Sequence, residues 1–175
     1  MSAENMKVES LFLEFSVGKL RQFASRIDAC LGKLNENQIW ARGHENENAI
    51  GNLALHLAGN VSQWILGPLG GIPVERDRDS EFAAREGVTG AELSSRLNAV
   101  VEQATSIIAS LTTERLTARY TIQNYPVTGV DVVYHVVEHF AQHTAQIIFV
   151  TKMLTSEGLD FYAHLNNASS VEDLP

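Results

Sequence analysis

The chain has 175 residues, 45% hydrophobic and 19% charged, which is enough apolar material for one domain with its own core and no disulfide staple. Acidic residues outnumber basic ones 21 to 13, giving a net charge of −8, so a role built on neutralising nucleic-acid phosphates is excluded. The single cysteine excludes an intrachain disulfide and any paired-cysteine metal or redox motif.

The opening stretch, MSAENMKVES, is polar and lacks the charged-then-apolar layout of a secretion signal. No apolar run is long and clean enough to span a bilayer, so no membrane partner is expected and the cytoplasm is the expected compartment. Helical periodicity begins near residue 5 and runs to about 33. Leu11, Phe12, Phe15, Phe23, Ile27, Cys30, Leu31 and Leu34 recur there at three- and four-residue steps, with Gly18 as a kink. Cys30 falls on the apolar face and is read as a packed core thiol.

A second helix is predicted from about 47 to 66, with Ile50, Leu53, Ala54, Leu57, Val61, Trp64 and Ile65 inward. Asn46 or Asn48 is placed to cap it, and Gly67-Pro68 with Gly70-Gly71 ends it. Residues 72–88 are dense in charge and read as a surface loop or short irregular helix. Thr89 and Glu92 then form a capping box that opens a third helix, striped by Leu93, Leu97, Val100, Val101, Ala104, Ile107, Ile108 and Leu111. The stretch 112–127 reads as a crossover connection, with a faint strand signal at Tyr120 to Gln123. A fourth helix runs from about Thr128 to Ser156, and Gly158 is placed as its C-terminal cap. The expectation is an all-α four-helix bundle with long crossover connections, a domain over 1–158 and a C-terminal tail over 159–175.

Half of the six histidines lie in one helical segment, Y-H135-V-V-E-H139-F-A-Q-H143-T-A-Q. Four-residue spacing sets two imidazoles about 40° apart and one turn up, close enough to share an ion. Three histidines at two successive such steps drift about 80° in total, so one pair serves and the third ring stands aside. Geometry leaves 135/139 and 139/143 both open, with His139 common to them. His56, flanked by leucines in the second helix, is a further core histidine. A buried imidazole without a partner is costly, and an ion shared between two helices removes that cost.

These residues resemble the last-helix signature of the DinB-like/YfiT-like superfamily of metal-binding four-helix proteins, and I-G-N-L-A-L-H56-L-A matches the family's first ligand position. The resemblance spans roughly residues 8–155 in helix order and spacing. It implies His56, His139 and His143 as ligands to one divalent transition metal (Zn, Ni, Fe, Co or Mn), with His135 outside the set. This chain departs from the pattern at Glu138, where the family commonly has Asn, and at Thr144-Ala145, where it has Arg-Gly.

Three neutral imidazoles leave open positions on an ion, as in a catalytic site. The resemblance implies an enzyme that activates a low-molecular-weight thiol for transfer to an electrophile, with a homodimer as the common assembly. Alternatives are a metal-dependent hydrolase using bound hydroxide, or a non-enzymatic ligand-binding or stress-response module. Glu138 and Gln63 are candidates for proton handling. Arg76, Arg78 and Arg85 are candidates for holding the thiol's carboxylates, with a solvated loop the simpler reading of each. Tyr125 and Tyr134 read as core aromatics, Trp40 and Trp64 as packing residues, and His44 and His164 as surface residues.

Overall fold

Four long helices form where the apolar periodicity places them, and the computed structural model describes residues 7–163. Helix α1 covers Val8–Leu31 and runs unbroken through Gly18. A short α2, Glu36–Ile39, follows, capped by a reciprocal pair in which Asn35 accepts from the Gln38 N–H and Gln38 accepts from the Asn35 N–H. Helix α3, Ile50–Val61, widens into a π-helical stretch at Ser62–Leu66. Its N-terminus is not capped by Asn46 or Asn48. Instead, Ala49 takes the cap position and the Asn52 side chain, one turn inside, accepts its N–H.

After the glycine-rich turn, the charged segment carries a single-turn helix α4, Arg78–Ala83. Helix α5, Gly90–Ala109, begins at the Thr89–Glu92 capping box. The crossover contains α6, Thr113–Thr117, and an antiparallel hairpin of β1, Arg119–Ile122, with β2, Tyr125–Thr128. Its turn sets both Gln123 and Asn124 in the left-handed region, at φ 50° and 66°. Helix α7, Gly129–Thr155, starts at a Thr128–Asp131 capping box. It ends with Ser156, not Gly158, in the left-handed conformation.

Helices α1 and α3 each pack against both α5 and α7, so the first and second long helices of the bundle occupy diagonal corners. That arrangement is why long connections, not tight hairpins, join them. The core seats Leu20, Ile27, Leu57, Ile65, Ile108, Val136, Phe140 and Ile147 out of contact with water. Cys30 is buried among them, and burial pushes its thiol pKa up. Tyr125 and Tyr134, in contrast, are exposed: each sits on the outer side of its element. Leu159 and Phe161 pack against the core, while residues 164–175 of the expected tail, with His164, lie outside the described residues. No helix among the described residues is long and apolar enough to cross a membrane.

Candidate metal centre

The site is built where α3 and α7 meet. Both helices bury an apolar face, and His56 on α3 lies within that face, with only a sliver of the residue exposed. His139 and His143 are half-buried on the flank of α7, beside the buried Val136, Phe140 and Thr144. One ligand nitrogen from each of His56, His139 and His143 falls within 4.8 Å of the other two. The Nε2 atoms of His56 and His139 are 2.9 Å apart. The structure therefore brings the 139/143 pair to His56. His135, one turn away, stacks on the Trp64 indole with ring centroids 4.0 Å apart and lies outside the cluster.

The atoms behind the rings decide how the nitrogens present themselves. His56 Nδ1 lies 3.1 Å from Glu81 Oε2. Arg76 Nη2 also lies 3.0 Å from Nδ1, but its N–H is aimed at Glu81 Oε2 at 2.7 Å. With that donor taken, the carboxylate, which only accepts, favours the proton on Nδ1 and the Nε2 lone pair toward the cluster. His143 Nδ1 sits 2.7 Å from Gln146 Oε1, which orients the second ring in the same way. A neutral imidazole anchored by its outer nitrogen is the usual support for a metal-binding histidine.

Glu81 is in turn held by Arg76, which donates from Nε to Oε1 and from Nη2 to Oε2, both at 2.7 Å. The two side chains are only 6% and 10% exposed. Such a pair is oriented as well as charged, because guanidinium and carboxylate match in plane and spacing. Arg76 Nη1 continues to Gln63 Oε1 at 2.7 Å, and Gln123 Nε2 at the hairpin turn donates to the same oxygen at 2.7 Å. Gly59 makes room for this pair: a Cβ there would overlap the Glu81 carboxylate and crowd Arg76 Nε.

Electrostatics keep His139 and His143 neutral. Burial, reinforced by the neighbouring His143, His56 and His135 rings and by Arg76, pushes the His139 pKa down to about 3. Burial also lowers His143, against the raising effect of its bond to Gln146. For Glu81, burial pulls upward, but the hydrogen bonds and charges of Arg76 and His56 win and leave it below the usual carboxylate range. Neutral imidazoles beside an ionised carboxylate form a donor set suited to a divalent transition metal.

Other expected participants fall elsewhere. Glu138 is exposed and meets Gln142 on the outer face of α7. Gln63 reaches the site only through Arg76. Arg76 is not a solvated loop residue: it is buried against Glu81. Arg85 is exposed and donates to the carbonyls of Phe82, Ala83 and Ala84, closing the end of α4. His44 is exposed. Trp40 and Trp64 pack as expected, although the buried Trp64 Nε1 has no acceptor among the described residues.

Sequence reasoning missed Glu81, Gly59 and the structural part of Arg76. The available signal was the R76-D-R-D-S-E81 spacing, which sets a cation and an acid five residues apart across a helix start. Asp77 caps that turn by accepting the Ser80 N–H.

The fold of the bundle is that of DinB-like four-helix proteins. Over 87% of this chain it superposes with a TM-score of 0.69 on the crystal structure of a conserved protein from Enterococcus faecalis, at 17% identity and 99% of that chain. A DinB-like protein from Bacillus cereus ATCC 10987 superposes with a TM-score of 0.64, at 13% identity, over 81% of this chain and 91% of its own. No curated protein matches the sequence. Residues 7–164 match the family described as "Protein of unknown function (DUF1572)", and the chain belongs to that family.

Proposed function

We propose that this protein binds one divalent transition metal on His56, His139 and His143 and uses it to activate a low-molecular-weight thiol for transfer to an electrophile. The observation that carries the reading is the convergence of three imidazole nitrogens within 4.8 Å, two of the rings anchored from behind by Glu81 and Gln146. A divalent ion bound there supplies Lewis acidity that favours the thiolate over the thiol at neutral pH.

The protein's own groups favour thiol chemistry over hydrolysis. Hydrolysis by a metal-bound water is helped by a general base beside the ion that takes the water's proton. Among the described residues the carboxylate that meets the triad is Glu81, and Arg76 and His56 already engage both its oxygens. Glu138, the other acid considered, faces solvent. A thiol has less need of such a base, because it is far more acidic than water and releases its proton to solvent on binding an ion. His56, His139 and His143 hold the ion, while Glu81, itself fixed by Arg76, orients His56.

The test is turnover of metal-loaded protein with a panel of small thiols and chlorodinitrobenzene. The reading predicts a thiol-dependent rate that His139→Ala abolishes and His135→Ala keeps. Ester or amide turnover that needs the metal and ignores added thiol would overturn it in favour of hydrolysis.

A further inference from the structure

Three arginines flank the triad along residues 76–85, and two are already engaged. Arg76 gives its donors to Glu81 and Gln63, and Arg85 gives its Nη1 to three carbonyls. Arg78 differs. Its side chain makes no hydrogen bond or ion pair among the described residues, and its guanidinium carbon lies 4.8 Å from the centroid of the Phe82 ring. That same ring lies 4.7 Å from the ring of His56. Phe82 is thus shared between a ligand of the triad and a cation with open donors. No ion pair ties that cation to the neighbouring acids: Asp77 accepts from the Ser80 N–H instead, and neither it nor Asp79 lies within ion-pair distance of Arg78.

A guanidinium resting on an aromatic ring is held in place while its N–H edges stay free for a bidentate grip on a carboxylate. In a chain of net charge −8, an anion approaching the triad gains from a local cation of this kind. Two ring-sized steps separate Arg78 from the imidazoles. That is the reach of a small molecule whose sulfur and carboxylate are a few bonds apart.

We propose that Arg78 is a specificity-determining residue, binding a carboxylate of the small thiol that reaches the His56–His139–His143 site. This rests on the thiol reading above, and two probes separate the claims. The first is S-methylglutathione, which keeps the carboxylates but has no free thiol, titrated by calorimetry into wild type and Arg78→Gln. Wild type is expected to bind it about tenfold or more tightly than the variant, a difference of the size of one charge-assisted contact. Arg78→Lys should recover part of the loss, and the esterified probe should bind both proteins equally weakly. The second probe is free glutathione added to cobalt-loaded protein, read as sulfur-to-cobalt charge-transfer absorption. No band with wild type would sink the thiol reading while leaving the first titration to judge Arg78. Equal binding of S-methylglutathione by wild type and Arg78→Gln, or binding by neither, would overturn the Arg78 assignment. An unchanged visible spectrum of the cobalt-loaded variant would show that the triad itself is undisturbed.

Discussion

His56 is clasped on both sides: its Nδ1 meets Glu81, and its Nε2 meets the cluster. Removing the acid that orients a metal-binding histidine usually costs 10- to 100-fold in affinity. Glu81→Gln should therefore weaken zinc binding by about that range, measured by competition with a chromophoric chelator. An unchanged affinity would mean that His56 needs no orientation. The same residue sets a pH dependence. Its carboxyl lies below its ordinary value in the folded state, so its stabilising effect is complete above the ordinary carboxylate pKa and disappears as pH falls through the lowered folded value. The stability gap between wild type and Glu81→Gln, read from urea unfolding of the metal-free proteins, should be full at pH 6 and shrink toward pH 3. A gap that widens on acidification would contradict the assignment.

The histidine pattern was legible at this scale, but the partners behind it were not. Four-residue spacing identified His139 and left two candidate partners. Only packing shows that His135 turns onto Trp64 instead of the cluster. Arg76 looked solvated because charge density alone marks a surface, and nothing local reports that an acid five residues on will meet it in a buried pair.

At the scale of the elements, the long helices follow their apolar stripes and capping boxes, and the differences lie where local chemistry is ambiguous. The hairpin was hard to see because its strands are four residues each, β2 contains Pro126, and its left-handed turn uses Gln-Asn without glycine. Helix α7 carries two of the three clustered histidines, and its start depends on Thr128, which accepts the Asp131 N–H while Asp131 accepts the Thr128 N–H. Thr128→Ala should cost about 1 kcal/mol in urea unfolding, the usual worth of such a cap. No loss would show that tertiary packing alone fixes the helix start. Gly59 is the corresponding constraint on α3. Gly59→Ala should push Glu81 and Arg76 off His56 and lower zinc affinity in the same direction as Glu81→Gln, with helical content by circular dichroism maintained. Unchanged affinity would mean that the pair can shift without releasing the ligand.

Across the whole molecule, the bundle is a scaffold whose diagonal arrangement of α1 and α3 leaves α3 and α7 facing each other along the triad. Phe140, fully buried one residue beyond His139, ties core packing directly to the ligand helix. Phe140→Ala should destabilise the fold by about 3–5 kcal/mol. Because ligands from two helices meet at one point, an ion bound there holds the bundle together and stabilises it by mass action. The measurement that tests this most directly is the metal content of the untagged protein by elemental analysis, alongside single alanine variants of His56, His135, His139 and His143. The account predicts about one equivalent of a divalent transition metal in wild type and in His135→Ala, with near-complete loss in the other three. Less than about a tenth of an equivalent in wild type, with melting unchanged by chelator, would contradict it.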